Sequence, residues 1–419
     1  MQSGKNLTQK YIIIGAGIAG LYTAYNILLM NPSAKITIYE KNNYIGGRIH
    51  VASFGGAHIP IGAGIGRKDK DHLLLHLLDA FKLKYNEGIS GSNHIGHNEI
   101  NIMDIVHKLH HEYNAQPTHE PFSKFAKRFM SKESYDLFVT NTGYSDFNNT
   151  DAYDLLFNYG IEDTSDGWKT VYVPWNDLIS QLVKFIKQHK NASIKLNVPI
   201  NNLNELNIYS KKNIDTTIII ATTISHVQQL LPKYNIYKSI GATNFMCVYG
   251  VFNKEIRTII ANKIPKLTVL NKPLQEIIPI NPEKGVYMLV YNDDGSASKL
   301  YNHISKLNNT SNTITSNEIG PYTPEYNEKC MLYLEKLLAK QLDLQVSQVK
   351  LDKIAVYYWK EGTHYFKSLN ESKYKNREEF IHKAQRPFKN MFVVGEVVAQ
   401  HQGWTEGALM SVQHIKNEL

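Results

Sequence analysis

Six residues near the start of the chain, Gly15-Ala16-Gly17-Ile18-Ala19-Gly20, restrict its fold more than any other feature. They follow an apolar β-branched run, Tyr11–Ile14, and lead into an apolar stretch, Ile18–Met30, that stops at Asn31-Pro32. A second β-branched run, Ile36–Tyr39, comes next. Strand, glycine turn, helix and strand make a βαβ unit, whose crossover is right-handed. In such a unit Gly15 allows the tight turn, Gly17 lets a pyrophosphate approach the backbone, and Gly20 lets helix pack on strand. The helix start at Ile18 and Ala19 then offers free N–H groups and a positive dipole end to phosphate. Glu40, with Lys41 beside it, ends the second strand 20 residues beyond Gly20, where a carboxylate accepts hydrogen bonds from both ribose hydroxyls.

Two further apolar runs, Thr216–Ala221 and Met391–Val394, read as buried strands far from the first pair. The nucleotide domain is therefore assembled from separated pieces. Between them the chain changes character. Residues 86–150 are rich in His, Asn and Phe, with helical patches. From Gly241 to Lys383, strand-like runs (Phe245–Phe252, Gly285–Tyr291, Lys353–Trp359) alternate with one amphipathic helix, Glu328 to Gln341. Ser296 to Gly320 reads as a long loop or insertion because of its many Asn, Ser and Thr residues. The 419 residues suffice for two domains.

Composition excludes several classes. With only Cys247 and Cys330, there is no disulfide framework, and a reducing compartment is expected. The polar stretch Met1 to Lys10 and the short apolar run after it are read as neither signal peptide nor membrane span, so a soluble, cytoplasmic protein is expected. The formal charge of +8 is spread along the chain without a run of five basic residues. It is read as solubility rather than a nucleic-acid arm. His107, His110 and His111 have helical spacing but no acid or cysteine to complete a metal set, and read as an exposed polar face.

Two more glycine elements carry chemistry. In Ile45-Gly46-Gly47-Arg48 the glycines permit a second close backbone approach, and Arg48 supplies a fixed cation for the pyrophosphate or flavin edge. Near the other end, Gly395-Glu396 is followed by Gly403-Trp404-Thr405-Glu406-Gly407-Ala408 and a final helix, whose N-terminus suits the pyrimidine end of a reduced flavin.

This set of residues resembles the flavin-containing amine oxidase family, which includes monoamine and polyamine oxidases, L-amino-acid oxidases and tryptophan monooxygenases. The likeness is specific at both chain ends and is supported by Gly167-Trp168 and by Leu196-Asn197-Val198. It implies an α/β fold of the two-domain FAD-linked oxidoreductase type: a Rossmann-like FAD-binding domain interrupted by a mixed α+β substrate domain. Residues 1–85, 151–240 and 384–419 are assigned to the first domain, and 86–150 and 241–383 to the second.

The resemblance further implies non-covalent FAD, molecular oxygen and a small amine or amino-acid substrate. Gly62, Ala63, Gly64 and Ile65 would run along the flavin ring, Val198 would lie on the adenine side, and Gly395, Glu396, Gly403, Thr405 and Ala408 would close on the flavin. Trp404, with Trp359 and Tyr365, would wall the substrate; Trp359, His364, Tyr365 and Phe366 are placed after a strand. Arg67 lies two residues from the position where amino-acid oxidases hold a substrate carboxylate, yet in Arg67-Lys68-Asp69-Lys70 it reads as part of a solvated loop. One departure stands out. Phe245 occupies the position where many members carry a lysine. The alternative to an oxidase is therefore a flavin-binding protein with lost or minor catalysis, serving a structural or assembly role.

Overall fold

Five β-branched strands build the base on which everything else is hung. A computed structural model describes residues 9–206, 216–308 and 326–419. In it Met391–Val393, Thr216–Ile220, Lys10–Ile14, Lys35–Tyr39 and Ala192–Lys195 lie side by side, all parallel, in that order. Ile13 and Ile219 face one core with Leu21, Leu28, Leu182 and Leu409; Ile12, Ile14, Ile218 and Ile220 face another with Val227 and Phe380. Burial on both faces is why these strands read as continuous apolar runs rather than alternating ones. The Ala192–Lys195 edge strand shows no such run, because its side chains are half-buried or exposed.

The second sheet has six strands, in the order Leu351–Phe366, Ile240–Phe252, Val286–Asp293, Glu276–Asn281, Leu267–Val269 and Ser92–His94. Pairing is antiparallel except at the last edge. Its faces divide by alternation. Met246, Val248 and Leu289 pack under the helices Asp294–Leu307 and Glu328–Leu342. Cys247, Tyr249, Tyr357 and Trp359 face the opposite way, toward Phe54, Ile59 and Ile61. A third group of helices, Ile102–Ala115, Phe122–Ala126, Lys132–Asn141 and Ala152–Asn158, closes around Phe122, Phe125, Phe138 and Phe147.

Two sequence expectations are corrected. The stretch beginning at Ser296 is not a loop up to Leu307: it is helix Asp294–Leu307, burying Ala297, Leu300, Tyr301 and Ile304. That helical spacing is masked by the Ser, Asn and Lys residues on its outer side; residues 309–320 lie outside the described residues. The strand expected to end at Trp359 runs on to Phe366, so His364, Tyr365 and Phe366 belong to the strand instead of following it. Helix Glu328–Leu342 forms where its apolar periodicity placed it. Among the described residues no helix is long and apolar enough to cross a membrane.

Candidate functional site

One long cleft runs from the carboxyl ends of the parallel strands to the cleft-facing side of the second sheet. At its first end the three glycines of the initial turn differ in what they do. Gly15 has φ +106°, and a Cβ there would lie 2.3 Å from the Ala221 carbonyl oxygen. A Cβ at Gly20 would lie 2.0 Å from the Gly15 carbonyl oxygen, so this glycine serves helix–strand packing. At Gly17 a Cβ would meet nothing within 4 Å. The space in front of Gly17 is open, and helix Ile18–Met30 starts there with no side-chain cap. Uncapped N–H groups facing an open cradle are what a pyrophosphate requires.

Glu40 stands beside this cradle. Its Oε2 accepts the Ala16 N–H at 2.8 Å and its Oε1 accepts the Asn42 N–H at 2.9 Å, which fixes the carboxylate and leaves lone pairs for two further donors. The Glu40 carbonyl accepts the Val198 N–H, which brings Val198 to the same wall. Gly46 donates to the Ala16 carbonyl, and Gly47 lies against Gly17, so the second glycine pair buttresses the first turn. Lys41 sits exposed at the rim.

Arg48 spans the middle of the cleft. It donates to the Gly362 carbonyl at 2.6 Å and to Glu396 Oε2 at 3.1 Å. Glu396 is buried and accepts four hydrogen bonds, from Arg48, the His364 N–H, His364 Nδ1 and the Gly403 N–H. Burial alone would raise its pKa, but His364 and Arg48 hold it well below the usual carboxylate range. The Ile224 N–H donates to His364 Nε2 at 3.1 Å, which leaves the ring proton on Nδ1, toward Glu396. Glu396 thus ties Arg48, the end of the long strand and the Gly403 turn into one unit.

The closing turn puts Trp404 and Thr405 on the cleft at the uncapped start of helix Thr405–Gln413. Glu406 turns away. Its two oxygens accept the N–H groups of Leu73 and Leu74, capping helix His72–Ala80 from outside. A Cβ at Gly407 would lie 1.9 Å from the His401 carbonyl oxygen. Half of the C-terminal signature is therefore packing.

At the far end the walls are aromatic: Phe245, Tyr291, Trp359 and Trp404, with Cys247 opposite Tyr291 on the neighbouring strand and Thr363 beside the turn. The Phe245 and Tyr291 rings are 5.5 Å apart, and Tyr144 packs on both. Burial pushes the Cys247 thiol up to about 12. It offers no thiolate for a covalent bond, and Cys330 lies under the other face of the sheet.

Most of the residues expected from the sequence meet here: Gly15, Gly17, Ile18, Ala19, Glu40, Lys41, Gly46, Gly47, Arg48, Gly62, Ala63, Val198, Trp359, Gly395, Glu396, Gly403, Trp404, Thr405 and Ala408 line the cleft. Gly20, Gly64, Ile65 and Tyr365 do not. The Gly64 carbonyl accepts Trp175 Nε1, and Tyr365 lies across Gly241 of the neighbouring strand. Arg67 is no solvated loop residue. It is buried, paired with Asp71 at 2.7 Å and Asp163 at 2.9 Å, and its guanidinium lies 3.9 Å from the Trp404 ring centroid. Three of its five N–H donors go to these two carboxylates, so a substrate carboxylate would meet a guanidinium that is already paired. His110 packs on Phe157, with His107 and His111 exposed beside it, and none of the three lines the cleft. The sequence reading missed Tyr44, Thr222, Glu361, Thr363, Cys247 and Tyr291. Only Thr222 carried a signal, as the turn after a buried strand.

The residues present fit FAD held without a covalent bond: an open cradle with free N–H groups for the pyrophosphate, Glu40 for the ribose, and a second helix N-terminus at the aromatic end. Comparison with known proteins agrees. The family described as NAD(P)-binding Rossmann-like domain matches residues 13–81. A 1-hydroxycarotenoid 3,4-desaturase of Flavobacterium sp. (strain P99-3) is 37% identical over 71 residues, 17% of this chain and 13% of that protein. "Probable polyamine oxidase 4" of Arabidopsis thaliana is 41% identical over 63 residues, 15% of this chain and 12% of that protein. Among solved structures, putrescine oxidase bound to putrescine aligns with TM-score 0.67 and 13% identity over 98% of both chains. The chain has the two-domain FAD-linked oxidoreductase fold, and its likeness in fold to putrescine oxidase extends over 98% of it.

Proposed function

We propose that the protein is an FAD-dependent oxidase of C–N bonds, acting on an amine or amino acid. One observation carries this reading: the cleft that fits the dinucleotide ends between Phe245, Tyr291, Trp359 and Trp404. FAD, held by Gly17, Glu40 and Arg48, would supply the two-electron acceptor for oxidising the C–N bond to an imine, with oxygen as the final oxidant and hydrogen peroxide as its product. The chain's own residues do the rest. The aromatic walls strip water from the amine, which favours its neutral, reactive form, and hold its carbon in place. The N-terminus of helix Thr405–Gln413 offers positive dipole to charge growing on the ring beside it. The proposed division of labour assigns residues 1–85, 151–240 and 384–419 to the cofactor, and 86–150 and 241–383 to the substrate.

Between amines and amino acids, the charges favour an amine. Arg67 is already paired with Asp71 and Asp163, and Arg48 with Glu396, so a substrate carboxylate would have to compete with a carboxylate in place at either. The names of the putrescine and polyamine oxidases lean the same way. A second reading, a flavin-binding protein with lost or minor catalysis, is favoured by Phe245, whose ring packs against Gly362 inside the cleft. The test is to purify the protein, record its visible spectrum and add monoamines, polyamines and amino acids without oxygen. Bleaching of the flavin by one class, with peroxide on readmitting air, supports the oxidase. A flavin spectrum that no amine bleaches supports the second reading.

A further inference from the structure

Behind the aromatic end of the cleft lie three buried carboxyl groups, Asp146, Asp293 and Glu276. They differ in what they touch. Asp293 accepts from the Ser145 and Asp146 backbone N–H groups and from the Ser145 hydroxyl, and lies 3.8 Å from Lys272. Glu276 faces Gly143, with Oε2 unpartnered among the described residues. Of the three, Asp146 alone is hydrogen-bonded to a side chain that lines the cleft. Its Oδ2 accepts the Thr363 hydroxyl at 3.1 Å, and Thr363 lines the cleft beside the Gly403-Trp404 turn; its Oδ1 accepts the Tyr159 hydroxyl at 2.6 Å. Among the described residues no cationic side chain pairs with Asp146.

We propose that Thr363 and Asp146 form a proton-accepting pair, through which an ammonium group entering the cleft is converted to the free amine. The inference rests on the amine reading above. The step balances: an N–H bond of the ammonium breaks as the Thr363 oxygen takes that proton, and the Thr363 O–H bond breaks as its own proton passes to the Asp146 carboxylate. The amine is left neutral and Asp146 protonated. After product leaves, the proton returns through the same hydroxyl to water in the open cleft. The arrangement also bears on the problem posed by Phe245: of the titratable side chains near the aromatic end, Cys247 and Tyr291 have raised pKa values and Glu396 is already held by Arg48, His364 and Gly403.

The surroundings set the working range. Burial raises the Asp146 pKa to about 7, helped by Asp293, while hydrogen bonds from Tyr159 and Thr363 oppose the shift and Glu396 adds to it. Tyr144 and Tyr291 also face it, both neutral because burial holds them well above the usual phenol value. Lys272 reaches Ser145 and Asp293, on the side away from Thr363. Below neutral pH Asp146 already carries its proton and cannot accept another.

The experiment uses the FAD-loaded full chain, with putrescine and benzylamine as probes in the absence of oxygen, and two readouts. Infrared difference spectra on adding amine should gain the carbonyl stretch of a protonated carboxyl group, absent in Asp146→Asn. Stopped-flow flavin reduction in Thr363→Val should be about a hundred-fold slower near neutral pH. It should converge on wild type at strongly alkaline pH, where the amine arrives neutral, and Thr363→Ser should restore the wild-type profile. Flavin reduction without the infrared band, or variants with an unchanged pH profile, overturns the pair and leaves the oxidase reading standing. The band without flavin reduction upholds the pair and overturns the oxidase reading; absence of both overturns both.

Discussion

Arg67→Met separates a structural arginine from a substrate receptor. The guanidinium donates to Asp71 through Nε and Nη2 and to Asp163 through Nη1, and all three side chains are nearly inaccessible. Methionine keeps the length of the side chain and removes the charge. Breaking a buried ion pair by deleting one partner costs about 3–5 kcal/mol. Here the lower end applies, because Asp71 still accepts the Arg67 backbone N–H and Asp163 keeps Lys70 at 2.7 Å. A loss of about 3 kcal/mol corresponds to a fall in Tm of roughly 3 °C in a chain of this size. Scanning calorimetry measures the loss. A variant that melts with the wild type, but whose KM rises for carboxylate-bearing substrates alone, would falsify the structural assignment and restore Arg67 as a receptor.

The remaining predictions are shorter. Gly17→Ala should fold, and with both proteins stripped of FAD should melt as wild type, since its Cβ meets only open space, yet should lose FAD on gel filtration. Gly20→Ala should lower expression and stability before any binding is measured, because its Cβ would lie 2.0 Å from a carbonyl oxygen; equal behaviour of the two variants would refute the division of roles. For Asp146, the raised pKa means native stability declines as pH climbs from the ordinary carboxyl value to about 7. The full shift is an upper bound of about 4 kcal/mol. Asp146→Asn cannot ionise, so its Tm relative to wild type should be higher near pH 8 than near pH 5; a gap independent of pH would show that Asp146 is not the titrating group.

What the sequence made legible follows the range of the interactions involved. Gly15, Gly17, Gly20 and Glu40 act on one another within a single βαβ unit, and Glu40 holds Ala16 directly, so spacing alone identifies them. Arg48 was legible as a cation, but not its anchors: Gly362 and Glu396 lie more than 300 residues downstream. Arg67 was misplaced for the same reason. Its neighbours Lys68, Asp69 and Lys70 resemble a solvated loop, while Asp163, which explains its burial, comes from a distant segment. The sequence points to Tyr365 and is silent on Thr363, because an aromatic side chain carries a visible expectation and a threonine carries none.

The cofactor end is written in glycines because a diphosphate needs backbone, and backbone access leaves a motif. The substrate end draws Phe245, Tyr291, Trp359, Thr363 and Trp404 from four separated segments and uses side-chain shape alone. Shape leaves no spacing to read. A change of substrate between relatives of this fold therefore requires no change in any of the glycine elements, and a search for the substrate must vary the aromatic walls and the Thr363–Asp146 pair instead. Exchanging Phe245 for smaller side chains, with FAD content held as the control, is the direct way to find which amine those walls select.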